Sequence, residues 1–117
     1  MVNRKVATRR FVPAYSLGTV HGLAAAEKVH YAGDRVFADT SELGLEHSDV
    51  CDCLQQLASH HFDSSIQYEG RQTWHDVYKM SITAPSGRAH DMYIKFKMFN
   101  ECLVLYVCSF HPHGWSE

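Results

Sequence analysis

The sequence predicts an α+β domain in which helices come first and an antiparallel sheet follows. Three observations carry that prediction. Apolar residues in the first half recur at helical spacing. From Ser64 onward the period changes to two, as it does when side chains alternate across a strand. Pro85-Ser86-Gly87 and Asn100-Glu101 then divide the second half into lengths suited to an antiparallel meander. At 117 residues the chain is read as one domain over 1–117, with a basic amino-terminal arm at 1–12. A chain of this size buries somewhat over ~60% of its unfolded surface, so a core without staples is expected.

Arg4, Lys5, Arg9 and Arg10 give the arm its charge. After Pro13, residues Ser16 to Tyr31 read as a helix capped by Ser16, with Leu17, Val20, Leu23, Ala24 and Tyr31 along one stripe. Gly18 and Gly22 weaken it by about 1 kcal/mol each relative to alanine. Arg35-Val36-Phe37-Ala38 is expected as a short extended piece, and Ser41 to Leu45 as one helical turn ended at Gly44. A firmer helix follows, capped by Ser48, with Asp49 at its positive start and Val50, Cys53, Leu54 and Leu57 at i, i+3, i+4 and i+7. It is expected to stop near Ser59.

Strands are predicted near Ser64–Tyr68, Thr73–Thr83, Asp91–Phe99 and Cys102–Phe110. The run Leu103 to Val107 is apolar on both faces, which predicts a central strand. Parity places Trp74, Tyr78, Met80 and Ile82 on one face, with Met92, Ile94, Phe96, Met98, Val104, Tyr106, Cys108 and Phe110. His75, Lys79, Tyr93, Lys95, Lys97, Ser109 and His111 fall on the other. Asp76 alone contradicts the oily face, so either a bulge breaks the alternation there or its carboxylate finds a partner.

Net charge is −2, so no overall basic field attracts nucleic acid. The acids are nonetheless concentrated: from Val36 to Gly70 there is no Lys or Arg, while Asp39, Glu42, Glu46, Asp49, Asp52, Asp63 and Glu69 fall there. That stretch reads as a solvated acidic helix face or as a surface for a basic partner. No apolar run approaches the ~20 residues that span a bilayer, and no signal peptide is visible. A cytoplasmic protein with no membrane association, its four cysteines reduced, is therefore expected.

The polar face carries the chemistry. Cleaving RNA without a metal requires a base for the 2′-hydroxyl, an acid for the leaving 5′-oxygen, and cations for the charge that grows on phosphate. Histidine titrates near neutrality and suits the first two tasks. Lysine supplies charge, and tyrosine orients a phosphate oxygen or stacks on a base. His75, Lys79, Tyr93, Lys95, Lys97 and His111 match these needs on one predicted face.

A metal site is the competing possibility. Cys51-Asp52-Cys53 is a poor chelate, since residues two apart on a helix point about 200° apart, and neither a CxxC nor a zinc-protease HExxH motif is present. No metal or other cofactor is expected. Cys108 as a nucleophile is disfavoured, because strand alternation sets it opposite His111.

Ser41-Glu42-Leu43-Gly44-Leu45, the helix carrying Cys51, then Trp74-His75-Asp76-Val77-Tyr78-Lys79, Tyr93-Ile94-Lys95 and Ser109-Phe110-His111 occur in the order found in the MqsR toxins. The resemblance spans residues 14 to 111, and the Trp-x-Asp-Val-Tyr phrase is its most specific part. It implies a RelE-like fold, an antiparallel sheet with N-terminal helices packed against it. It also implies a type II toxin that cleaves mRNA at short GC-containing sites without metal, inhibiting translation. The implied partner is a cognate antitoxin with a zinc-bound domain and a helix-turn-helix, through which alone operator DNA is contacted.

Carried over by residue, the family's catalytic tyrosine falls on Tyr93, and its glutamine after the tryptophan becomes His75. One lysine lands near His111 across a small insertion, and another falls near Ser64 with no basic residue in its place. The expected catalytic residues are thus His75, Tyr93 and His111, with Lys79, Lys95 and Lys97 binding RNA. The alternative is a catalytically inactive module that binds RNA or protein on the same fold.

Overall fold

The computed structural model describes residues 4–99 and 103–115. Among these the elements run β1 (Val6–Arg10), α1 (Leu17–Ala25), β2 (Val29–Tyr31), α2 (Asp34–Glu42), α3 (His47–Gln55), a 3-10 turn (Ser59–His61), β3 (Phe62–Tyr68), β4 (Trp74–Thr83), β5 (Ala89–Lys97) and β6 (Leu105–Pro112). The sheet order is β1-β3-β4-β5-β6-β2. All neighbours are antiparallel except β2, which joins β6 in parallel. This is the α+β class that the change of period predicts, and β6 is interior as its two apolar faces require. The expected Asn100-Glu101 turn lies outside the described residues.

One face of the sheet carries the core. Val20 and Ala24 of α1, and Val50, Leu54 and Leu57 of α3 and its exit, pack on Tyr78, Met80, Met92, Ile94, Phe96 and Phe110. The opposite, open face holds only a small cluster of Ile66, Tyr68 and Val77, with Tyr93 against it.

Several expectations yield to long-range pairing. The helix from Ser16 stops at Ala25 instead of Tyr31. Ser16 caps it as expected, its side chain accepting from the Thr19 N–H at 3.2 Å. Glu27 then adopts a positive φ of 57°, and the Lys28 N–H returns to the Leu23 carbonyl. Val29 to Tyr31 leave to pair with Leu105 to Val107, a partnership 76 residues away that no local pattern announces.

Residues 35–38, expected to be extended, belong to α2, whose Val36 is buried. The turn expected at Ser41 is the end of that helix, and Gly44 closes it at φ 74°. Ser48 does not cap α3. The N-cap is Glu46, two residues earlier, which forms a reciprocal capping box with Asp49, and the helix ends at Gln55. Part of the basic arm is itself a strand, β1, at the sheet edge beside β3.

Parity fails in β6 for a local reason. Lys95 opposes Ser109, but Phe96 opposes Val107, so Cys108 is an extra residue without a partner. Such a bulge exchanges faces across itself. Leu105 and Val107 therefore enter the core with Phe110, while Tyr106 and Cys108 do not join it.

Asp76 is the other exception to alternation, and here the strand stays regular. Its carboxylate is fully buried and accepts from the Ala14 and Tyr15 N–H groups at 3.0–3.1 Å. Burial pushes its carboxyl above the usual range; the Ala14 N–H, the Ser65 hydroxyl, the Tyr15 N–H and the Arg10 guanidinium oppose that rise. The Tyr15 hydroxyl adds bonds to the Trp74 and Met98 carbonyls. Together these fix where the chain leaves β1 and enters α1. Asp76→Ala leaves two backbone donors without their acceptor, and a loss of roughly 2–4 kcal/mol is expected in urea denaturation. A loss below about 0.5 kcal/mol would show that the anchor is dispensable.

Candidate active site

Cross-strand register arranges the open face in rows. Ser64, Val77, Lys95 and Ser109 form the middle row. Lys79, Tyr93 and His111 form the row on one side. On the other side His75 lies beside Ile66, and Lys97 beside Tyr106. α2 lies against β6 and β2 and walls off the far side, leaving a cavity of about 650 Å³. His75, Lys95, Lys97, Ser109 and His111 line it from the sheet, and Arg35 and Asp39 line it from α2.

His111 is 3% exposed, and its Nδ1 lies 2.9 Å from the Pro112 carbonyl. A carbonyl can only accept, so Nδ1 carries hydrogen and the lone pair of the neutral ring sits on Nε2. The ring stacks on Tyr93 with centroids 5.4 Å apart and planes 16° from parallel. His113 stacks near the same tyrosine at 6.4 Å.

Lys95 is largely buried, its ammonium donating to the Tyr68 hydroxyl at 2.6 Å. The Tyr68 ring also meets His75 edge to face at 5.1 Å. His75 is 3% exposed, and burial is the main reason that its pKa is lowered to about 4. The positive charges of Lys95, Lys97 and Arg4 push the same way, against a weaker opposing bond with the Ile66 backbone. At neutral pH His75 is therefore an uncharged imidazole held among cations.

The structure brings His75, Lys95, Lys97 and His111 to one cavity, with Tyr93 stacked beside it. Lys79 does not join them. Its ammonium pairs with Asp63 at 3.3 Å and borders a separate depression with His60, His61 and His113.

Cys108 is a further correction. The bulge turns it into the same cavity as His111 instead of away from it. Burial raises its pKa against the opposing pull of Lys97, Lys95 and Arg4, so the group there is a thiol. Cys51 and Cys53 are likewise free thiols, and Cys102 lies outside the described residues.

Sequence reasoning missed Arg4, Arg35, Asp39, Tyr68 and Ser64. Tyr68 was within reach, since pairing β3 with β4 puts Ser64, Ile66 and Tyr68 on the face of His75. Arg35 was hidden by reading α2 as extended. Ser64, where the resemblance leaves a lysine unreplaced, accepts a bond from Arg9 Nη1 at 2.8 Å. That approach depends on β1 reaching β3 across more than 50 residues.

No curated protein matches the sequence. The family model described as "Motility quorum-sensing regulator, toxin of MqsA" matches it over residues 12–112. That span takes in α1 to β6, the bulge and both cavity histidines, and the chain belongs to the MqsR family of toxins, which act in toxin–antitoxin pairs.

Proposed function

We propose that this toxin is a metal-independent endoribonuclease acting on mRNA and held in check by its antitoxin. The observation that carries the reading is the convergence of His75, Lys95, Lys97 and His111 around one cavity. The middle row puts Lys95 between the two histidines, so a phosphate over its ammonium is flanked by both.

His75, uncharged at neutral pH, takes the proton of the 2′-hydroxyl. The 2′-oxygen attacks the adjacent phosphorus, and the bond from phosphorus to the 5′-oxygen breaks. His111 in its imidazolium form, with Nδ1–H held on the Pro112 carbonyl, gives its Nε2 proton to the leaving oxygen. The products are a 2′,3′-cyclic phosphate and a 5′-hydroxyl. Lys95 and Lys97 stabilise the charge that develops on the phosphate oxygens. Tyr93 holds the His111 ring in place through their stacking and presents its hydroxyl to the substrate.

Three outcomes test this reading. A defined single-stranded RNA should be cut in EDTA, and His75→Ala and His111→Ala should each slow cleavage by about 10²–10⁴-fold. A change below threefold in both folded variants removes the mechanism, and binding without cutting by the wild type favours an inactive RNA-binding module.

The second outcome concerns pH. The acidic limb of kcat/KM for the free enzyme should fall near pH 4, where His75 titrates, well below the ~6.5 of an ordinary imidazole. Lys95→Met removes one of the cations that depress it and should move that limb upward in a pH–rate profile.

The third concerns stability. With its folded pKa below the unfolded value, His75 makes the folded state bind fewer protons between about pH 4 and 6.5. Its contribution is fully present above that window and is lost as pH falls through it. His75→Gln should flatten this loss in urea midpoints measured at pH 7 and pH 4.5.

A further inference from the structure

The family match begins at residue 12, yet the segment that precedes it contributes two cations to the open face, Arg9 of β1 and Arg4 just before that strand. Arg4 lines the cavity with its guanidinium 5.7 Å from the centre of the Tyr68 ring, whose hydroxyl already holds the Lys95 ammonium. Arg9 pairs with Ile66 across the strands and reaches Ser64, in the row of Lys95.

Like charges gathered this closely repel one another, and the cavity holds four cationic side chains against one carboxylate. That carboxylate, Asp39, is already paired with Arg35 at 3.4 Å. Beyond the cavity, Asp63 pairs with Lys79 and accepts from Ser64, the residue to which Arg9 donates. Such a surplus favours a polyanion that follows the strand more than one isolated anion.

Arg10 marks the contrast. It faces the other way, stacked 3.9 Å over Trp74 and close to Asp76, where it serves the fold.

We propose that β1 is part of the substrate-binding surface. In this arrangement Arg4 grips the phosphate next to the one being cut, and Arg9 at Ser64 holds another further along the same strand of RNA. This rests on the ribonuclease reading above. It assigns a binding role to a segment that the family match does not include.

The test uses the full chain and a single-stranded RNA oligonucleotide made uncleavable by 2′-deoxy substitution, with binding followed by fluorescence anisotropy across a salt series. Arg4→Met/Arg9→Met keeps the aliphatic stems and removes both charges. Each lost phosphate contact lowers the slope of log affinity against log salt by about 0.7, so the double variant should lose about 1.4 and bind at least about tenfold more weakly at low salt. Arg4→Lys/Arg9→Lys should retain most of the slope, and Arg88→Ala, in the β4–β5 loop, should match the wild type.

Unchanged slope and affinity in a double variant with a wild-type urea midpoint overturns the role of β1 while leaving the cavity reading intact. Where the double variant does not fold, the single Arg4→Met and Arg9→Met variants decide: each should lose about 0.7 of slope, and an unchanged slope in both overturns the role. Failure of the wild-type protein to bind RNA at all removes both readings.

Discussion

The carboxylate of Asp76 is the interaction on which the two sides of this molecule depend. It lies on β4, on the core face, where an unpaired charge would be expensive to bury. Two backbone N–H groups from the segment between β1 and α1 meet it there. The chain is thereby pinned where it passes from the edge of the sheet to the helical layer. α1 packs on the core from that point, and β1 runs from it along β3 toward the cavity. A polar group among apolar neighbours thus determines where the amino-terminal elements lie, while the apolar neighbours supply the bulk of the burial.

The electrostatics of the cavity set two requirements against each other. Under the function proposed above, a phosphate needs concentrated positive charge, and Lys95, Lys97 and Arg4 are the cations at hand. The same charges make it hard for His75 to hold a proton, and burial makes it harder still. At neutral pH a histidine in this position is present as the free base, though a weaker base than an ordinary imidazole. His111 differs in donating its Nδ1–H to the Pro112 carbonyl and in lying on the far side of the Lys95 row. Two residues of the same kind are thereby given different surroundings.

Much of this was legible in the sequence, and what was not has identifiable causes. The alternation in β4 and β5 is regular, so the faces of His75, Tyr93, Lys95 and Lys97 followed from counting. Asp76 was flagged as an anomaly, and the second of the two explanations offered for it holds. Elements decided by remote partners were misread: β2 looked helical because its neighbours are, and Arg35 to Ala38 looked extended because the helix they enter has few apolar positions. Lys79 was placed on the right face, but parity does not reveal that Asp63 holds its ammonium beside a different depression. Arg4 and Arg9 are a matter of topology alone, since nothing near them in the sequence indicates which strand they join.

The unopposed Cys108 has a consequence for how β6 tolerates change in length. Deleting Cys108 itself would leave Val107 opposite Phe96 and Ser109 opposite Lys95 in strict alternation, with the same residues on each face. A residue gained or lost between Leu105 and Val107 would instead turn Leu105 out of the core and shift the stretch to which β2 is bonded. Loss of Cys108 is thus a local matter, whereas an indel among its upstream neighbours is a global one. The extra residue turns a thiol toward the cavity without changing which residues face the core.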